Sequence, residues 1–249
     1  MTLVNVQNLT KVFRIAEYTD SDRIRDGKFY ALDNVSLCIK SGECAVIAGS
    51  SGSGKSLLMA IIAKLEDPSS GSIEISGKVG LVFQNSDSQI LGETAVEDIT
   101  ISVRNQKIPK KETNAFVEKV LSETGLSEKA FFPARFLSGG EKRRLAVAAV
   151  LAMNADIIIF DEPYTNLDYP GVVQINKLIV DLKESHKTII ILTHELEKCL
   201  RLADCFIVLN QGKVVFNGTP AEGLTQNLAD WGIHHPLGGA KCLEDLLWL

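Results

Sequence analysis

The chain has 249 residues, 45% hydrophobic and 23% charged, with 26 basic against 31 acidic side chains for a net charge of −5. This is the balance of a soluble globular protein with a real core, and the absence of a Lys/Arg block excludes a sequence-independent nucleic-acid binder, so no nucleic-acid partner is expected. Five scattered cysteines without a C-x-x-C pair point to reduced thiols in a cytosolic chain rather than a disulfide or zinc framework.

Residues 1–5 begin as a strand rather than a signal peptide, and no apolar run approaches the roughly 18 residues of a membrane span. The chain is expected to reach a membrane only through a partner. Residues 2–10 and 34–39 alternate apolar and polar, the pattern of half-buried antiparallel strands, and 20–28 reads as a polar loop. Cys44-Ala45-Val46-Ile47-Ala48 is an apolar run ended by glycine, the mark of a strand buried on both faces.

That strand leads into Gly49-Ser50-Ser51-Gly52-Ser53-Gly54-Lys55-Ser56, then Leu57-Leu58-Met59-Ala60-Ile61-Ile62-Ala63 as a helix. This is G-x-x-x-x-G-K-[ST] in a strand–loop–helix setting, a phosphate-binding loop. Glycines let the backbone turn its N–H groups around an anion, and the helix dipole favours the same charge. Lys55 is expected to reach the β- and γ-phosphates of a nucleotide, and the Ser56 hydroxyl to ligate Mg²⁺.

Further on, 72–75 and 79–83 read as short strands, and 85–150 as a helical insert with a clear helix over 111–124 ended by Gly125. Strand and helix then alternate: strand 156–160, helix 172–183, strand 187–192, helix 196–202. Residues 206–209 and 214–216 form a hairpin through Asn210-Gln211-Gly212. Thr219-Pro220-Ala221-Glu222 opens a helix, with Thr219 as N-cap and Glu222 closing a capping box. The fold class is α/β, a mainly parallel sheet covered on both faces.

Two apolar strands deliver chemistry at one sheet edge. Ile157-Ile158-Ile159-Phe160-Asp161-Glu162 ends in two carboxylates, where ligands of α/β sheets bind. Asp161 is the expected Mg²⁺-side acid, acting through water, and Glu162 is placed to orient or deprotonate an attacking water. Thr188-Ile189-Ile190-Ile191-Leu192-Thr193-His194 brings a histidine to the same edge as a γ-phosphate sensor. Leu137-Ser138-Gly139-Gly140-Glu141 is a capping box with two glycines in its first turn, at a cost of about 1 kcal/mol each relative to alanine. Such glycines suit a backbone that must approach a phosphate at a helix N-terminus.

This ordered set, Gly49–Ser56, Gln84, Leu137–Glu141, Asp161-Glu162, Asp168 and His194, resembles the nucleotide-binding subunit of the ABC (ATP-binding cassette) family over residues 1–220. The resemblance implies a P-loop NTPase core with an N-terminal antiparallel β subdomain, and ATP with Mg²⁺ as cofactors. It also implies a head-to-tail dimer in which each site is completed by the other chain's Ser138-Gly139-Gly140. Gln84 matches the glutamine that touches Mg²⁺ or water and reports to a membrane partner. Thr165–Asp168 resembles the loop that comes after the paired acids. By order Phe13 takes the place of the aromatic that stacks on adenine, with Tyr18, Phe29 and Tyr30 also open. The chain departs from the usual pattern at Glu141, where glutamine is commonest, and at Tyr164, where threonine is frequent.

Within that family, Phe83-Gln84-Asn85-Ser86-Asp87-Ser88-Gln89 is similar to the F-Q-N-P-D-x-Q run of energy-coupling factor (ECF) transporter ATPases, with Ser86 in place of proline. Residues 221–249, with Trp231-Gly232-Ile233 through Leu243, Leu246 and Leu247, resemble that group's C-terminal extension, which helps pair two ATPase subunits, equal or related. The implied function is an ATPase at the cytoplasmic face of the membrane, driving uptake of a vitamin or metal ion through an integral membrane component. A soluble ABC ATPase serving cytosolic assembly of the iron–sulphur scaffold type, a non-ECF ABC transporter ATPase, and a nucleotide sensor that does not turn over, stand as alternatives.

Overall fold

The computed structural model describes residues 2–15, 23–104 and 109–238. In chain order come strands β1 (Thr2–Arg14), β2 (Ile24–Arg25), β3 (Lys28–Lys40) and β4 (Cys44–Ala48), helix α1 (Lys55–Ile62), and strands β5 (Ser70–Ile75) and β6 (Val79–Val82). Helices α2 (Ala95–Val103), α3 (Lys110–Glu123) and α4 (Gly139–Ala152) are next. Then come β7 (Ile157–Asp161), α5 (Tyr169–Glu184), β8 (Thr188–Thr193), β9 (Cys205–Asn210), β10 (Lys213–Gly218) and the single turn α6 (Pro220–Gly223).

Two sheets share one apolar layer. The antiparallel sheet has the order β2-β3-β1-β5, the larger one β10-β9-β4-β8-β7-β6. In the larger sheet β9, β4, β8, β7 and β6 run parallel, and β10 returns antiparallel at one edge. The two-residue period of a strand splits β4 between its faces. Ala45 and Ile47 pack with Leu9, Ile39 and the α1 residues Leu58 and Ile61 between the sheets. Cys44, Val46 and Ala48 pack on the opposite face with Val150 of α4 and Ile175 and Ile179 of α5. Burial on both faces is why the sequence there is continuously apolar rather than alternating.

Helices α2, α3 and the far side of α4 enclose a separate cluster built on Ile99, Val120, Leu121, Leu126 and Leu145. Because α4 is shared between two cores, it is apolar on most of its circumference, and it carries the Ser138 cap to the sheet. Both halves of that capping box form. So do both halves of the Thr219–Glu222 box at α6, with Pro220 in its first turn.

Three expectations need correction. Residues 196–202 are two 3₁₀ turns, Leu196–Lys198 and Leu200–Leu202, not one helix. Cys199 between them has φ −140°, and the Lys198 carbonyl accepts a bond from Asn176 Nδ2 at 2.7 Å instead of continuing a helical ladder. The 20–28 loop contains a two-residue strand paired with β3. The parallel set has five strands where the strand–helix rhythm gave three, because β6 and β9 enter it by long-range pairing with β7 and β4. The hairpin turn is a two-residue loop, with Gln211 at φ 47° and Gly212 at φ 78°, a twist that matches the strands. Past α6, Ile233 is buried in the core against α5's face of the sheet, and the Trp231 ring lies 6.2 Å from Phe216. The later tail positions Leu243, Leu246 and Leu247 fall outside the described residues.

A Cβ on Gly80 of β6 would sit 2.1 Å from Val150 Cγ1 and 2.9 Å from Ala155 Cβ. Gly80→Ala is expected to cost about 1–3 kcal/mol by overpacking. In thermal unfolding that reads as a fall in Tm of about 2–4 °C per kcal/mol; an unchanged Tm would contradict the packing of β6 on α4.

Candidate active site

The phosphate loop occupies the carboxyl end of β4. A side chain at Gly49 would place its Cβ 2.2 Å from the Leu209 carbonyl oxygen, and Gly54 has φ 108°, so both positions require glycine. The Gly212 N–H of the β9–β10 turn donates to the Ser53 carbonyl at 2.9 Å and buttresses the loop from outside. Helix α1 then opens at Lys55, only 8% exposed, whose Nζ donates to the carbonyls of Gly49 (2.6 Å) and Ser50 (3.1 Å). Burial lowers the Lys55 pKa, a shift opposed by the nearby Glu162 and Asp161.

Parallel register brings the acids and the histidine to this loop. Ala48 pairs with Thr193, and Asp161 with Leu192, so β4, β7 and β8 end together. The Glu162 N–H donates to the Leu192 carbonyl at 2.9 Å, which turns the chain sharply and leaves Glu162 at φ 45°. A left-handed glutamate persists only where its surroundings over-determine it, and such residues cluster at functional sites. Glu162 Oε1 lies 3.0 Å from His194 Nδ1 and 4.0 Å from Lys55 Nζ. The glutamate side chain is 12% exposed and the histidine 60%, so the ring stands at the mouth. Asp161 has its pKa raised, by burial first and by the Glu162 charge second.

These groups line one cleft of about 630 Å³. Of the sequence-predicted residues, Ser50, Ser51, Gly52, Ser53, Gly54, Lys55, Ser56, Gln84, Asp161, Glu162 and His194 all face it. Asp161 Oδ1, Glu162 Oε2 and Ser53 Oγ are buried with no hydrogen-bond partner among the described residues. Orphaned buried oxygens are rare enough to need a cause. Here they suit a hard cation and its water beside an anion cradled by the loop. Among the described residues no group of three or more His, Cys, Asp or Glu could hold a metal ion by itself. That fits Mg²⁺, which is bound by one or two protein groups together with substrate phosphates.

Phe13 and the Ser138–Gly140 segment do not line this cleft. Phe13 is 44% exposed on β1, with Lys11 Nζ 5.4 Å from its ring. Its cross-strand neighbour Phe29 faces the cleft instead. Tyr30 stacks under Arg25, and Tyr18 lies outside the described residues. Gly139 sits with Gln84, Asp87 and Asn166 in a second pocket of about 360 Å³.

Arg23 is the cleft residue that sequence reasoning missed. It donates to the carbonyls of Tyr30 (3.0 Å), Ala31 (2.6 Å) and Gly52 of the phosphate loop (2.9 Å), and its guanidinium lies 4.5 Å from the Phe29 ring. Nothing in a polar stretch of mixed charge distinguishes this arginine from its neighbours. Only the long-range fold does. Gly232, from the segment after α6, also reaches the cleft beside Ser50.

Residues 32–165 match the family model described as ABC transporter. The chain is 37% identical over 206 residues to the energy-coupling factor transporter ATP-binding protein EcfA2 of Thermotoga maritima, covering 78% of this chain and 77% of that protein. It is 37% identical over 223 residues to EcfA1 of Staphylococcus epidermidis, covering 84% and 82%. Among solved structures, CbiO1 from Clostridium perfringens, part of an ABC transporter complex, superposes with TM-score 0.79 at 31% identity over 92% of each chain. A dimeric ATP-binding cassette bound to ADP and Pi superposes with TM-score 0.74 at 29% identity, over 88% of this chain and 99% of that one.

Burial and the Glu162 charge both disfavour ionised Asp161 in the folded protein. Asp161→Asn is therefore expected to raise the Tm of the nucleotide-free protein, because it removes a carboxylate whose ionised form is disfavoured there. A lower Tm would show that the carboxylate is held by favourable contacts instead.

Proposed function

The chain belongs to the ABC transporter family, and on that premise we propose that it is the ATP-binding and ATP-hydrolysing subunit of an energy-coupling factor type importer. The observation that carries the catalytic half is the Lys55–Glu162–His194 array, with Glu162 Oε1 within 4.0 Å of the ammonium and 3.0 Å of the imidazole. Phosphoryl transfer asks a protein chiefly to position the phosphates and compensate their charge. The loop amides and Lys55 grip the triphosphate. Ser56, Asp161 and Gln84 would hold Mg²⁺, which when bound would supply charge neutralisation for the phosphates. Glu162 orients a water and takes its proton, and His194 fixes that glutamate from the open side of the cleft. Phe29, backed by the Arg23 guanidinium, offers a flat apolar face for the adenine in place of Phe13.

Two features support the partners. Gly139 does not line this chain's own cleft but an adjoining pocket that shares Gln84 with it, which suits completion of each site by the Ser138-Gly139-Gly140 turn of a second ATPase subunit, a copy or a relative. Leu91, Phe131 and Phe136 are 74%, 81% and 64% exposed. They are carried by two segments joined at the Thr94–Pro133 bridge, an apolar surface suited to an integral membrane component. Among the described residues no helix is long and apolar enough to cross a membrane. The likeness to energy-coupling factor transporter ATP-binding proteins supports peripheral attachment at the cytoplasmic face. In this reading residues 1–220 are the ATPase domain with a helical subdomain at about 85–150, 221–249 are an extension that helps pair subunits, and the cargo, a vitamin or metal ion, is handled by the membrane component.

Glu162→Gln is expected to keep ATP affinity within a few fold while cutting phosphate release by at least about 10²-fold; near-normal turnover would refute the role of Glu162. Lys55→Ala should abolish tight ATP binding in the same assay, and unchanged affinity would count against the phosphate loop. Co-expressed with the integral membrane component of an energy-coupling factor importer, the chain is expected in detergent-solubilised membranes, whereas recovery only from the soluble fraction would contradict an importer.

A further inference from the structure

Tyr164 lies two residues past the catalytic glutamate, at a position where the ABC pattern often has threonine. It is completely buried, and its hydroxyl donates to Asn176 Oδ1 of α5 at 2.7 Å. The Asn176 amide in turn donates to the Lys198 carbonyl at 2.7 Å, four residues beyond His194. The loop that carries Glu162 is thereby tied, through one side chain of α5, to the loop that carries His194. We propose that Tyr164 and Asn176 are a brace that holds the His194 ring at hydrogen-bond distance from Glu162, which makes Tyr164 a positioning residue for hydrolysis. This rests on the catalytic reading of Glu162 and His194 given above.

His194 needs such a brace. Its side chain is 60% exposed, so packing does little to place the ring, and its position is set by its backbone. That backbone enters two short 3₁₀ turns rather than a helix, so no continuous ladder stiffens it. On the β8 side it is fixed by the Glu195 N–H donating to Thr193 Oγ1 at 3.0 Å. On the far side the bond to the Lys198 carbonyl ties it to α5. Glu162, for its part, sits in a left-handed conformation that its surroundings must enforce, and the buried Tyr164 ring anchors the turn that begins with it. Threonine at 164 could not span the distance to α5.

The test is a double-mutant cycle in ATP turnover. Tyr164→Phe removes one oxygen and keeps the ring, and is expected to lower kcat at least fivefold while KM for ATP stays within twofold. The same substitution in a His194→Ala background should change the residual rate less than twofold, because the ring it positions is gone. Asn176→Ala should behave like Tyr164→Phe, and it carries the same cycle if Tyr164→Phe does not fold. A kcat for Tyr164→Phe within twofold of wild type, beside a slow His194→Ala, overturns the brace alone. An equal fold loss with and without His194 overturns it too, since that is the signature of general packing. A His194→Ala chain turning over at the wild-type rate overturns the role of His194 itself.

Discussion

A single ammonium group, withdrawn from water, organises the site. Lys55 is 8% exposed and shares its protons between two carbonyls of the loop that precedes it, with the carboxylates of Glu162 and Asp161 facing it across the cleft. Burying a charge is costly unless it is paired and hydrogen-bonded. The fold meets that condition through main-chain carbonyls, which neutralise no charge, and through the Glu162 carboxylate 4.0 Å away. The cation therefore keeps its field for an incoming anion. A triphosphate can replace the carbonyls without the loop having to unfold.

Several costs in the structure become intelligible from that arrangement. Gly49 and Gly54 are confined to glycine by a neighbouring carbonyl and by a left-handed backbone. Glu162 carries a backbone strain of about 1–3 kcal/mol. Asp161 and Glu162 each keep a buried oxygen unpaired. None of these features helps the nucleotide-free chain to fold. Gly54, Asp161 and Glu162 line one 630 Å³ cleft, with Gly49 at the start of its phosphate loop, which places stability and activity in opposition at the same few residues.

Local chemistry made most of this site readable in advance. The glycine–lysine spacing, the apolar runs at 44–48, 157–160 and 188–192, and the two capping boxes each involve residues a few positions apart, and each formed as expected. Long-range pairing is the part that sequence pattern could not supply. Four residues of β6 and six of β9 are too few to declare which sheet they join. Arg23 and Phe29 become cleft residues only because β3 carries Phe29 to the phosphate loop and Arg23 bonds both β3 and the Gly52 carbonyl. The run Phe83–Gln89 is legible as a motif without its mechanics. Gln89 folds back onto the Phe83 N–H and the Leu81 carbonyl, Asp87 pairs with Lys142 at 2.5 Å, and buried Arg143 donates to the Phe83 carbonyl at 2.7 Å. Helix α4 and the loop that offers Gln84 are thus clasped together.

The most direct test of this arrangement is a crystal structure of the Glu162→Gln chain with ATP and Mg²⁺. The expected result is a triphosphate wrapped by residues 49–56, with Lys55 Nζ turned from the Gly49 carbonyl onto a phosphate oxygen and Asp161 on the metal side. Nucleotide bound elsewhere, with Lys55 still on its carbonyls, would contradict it.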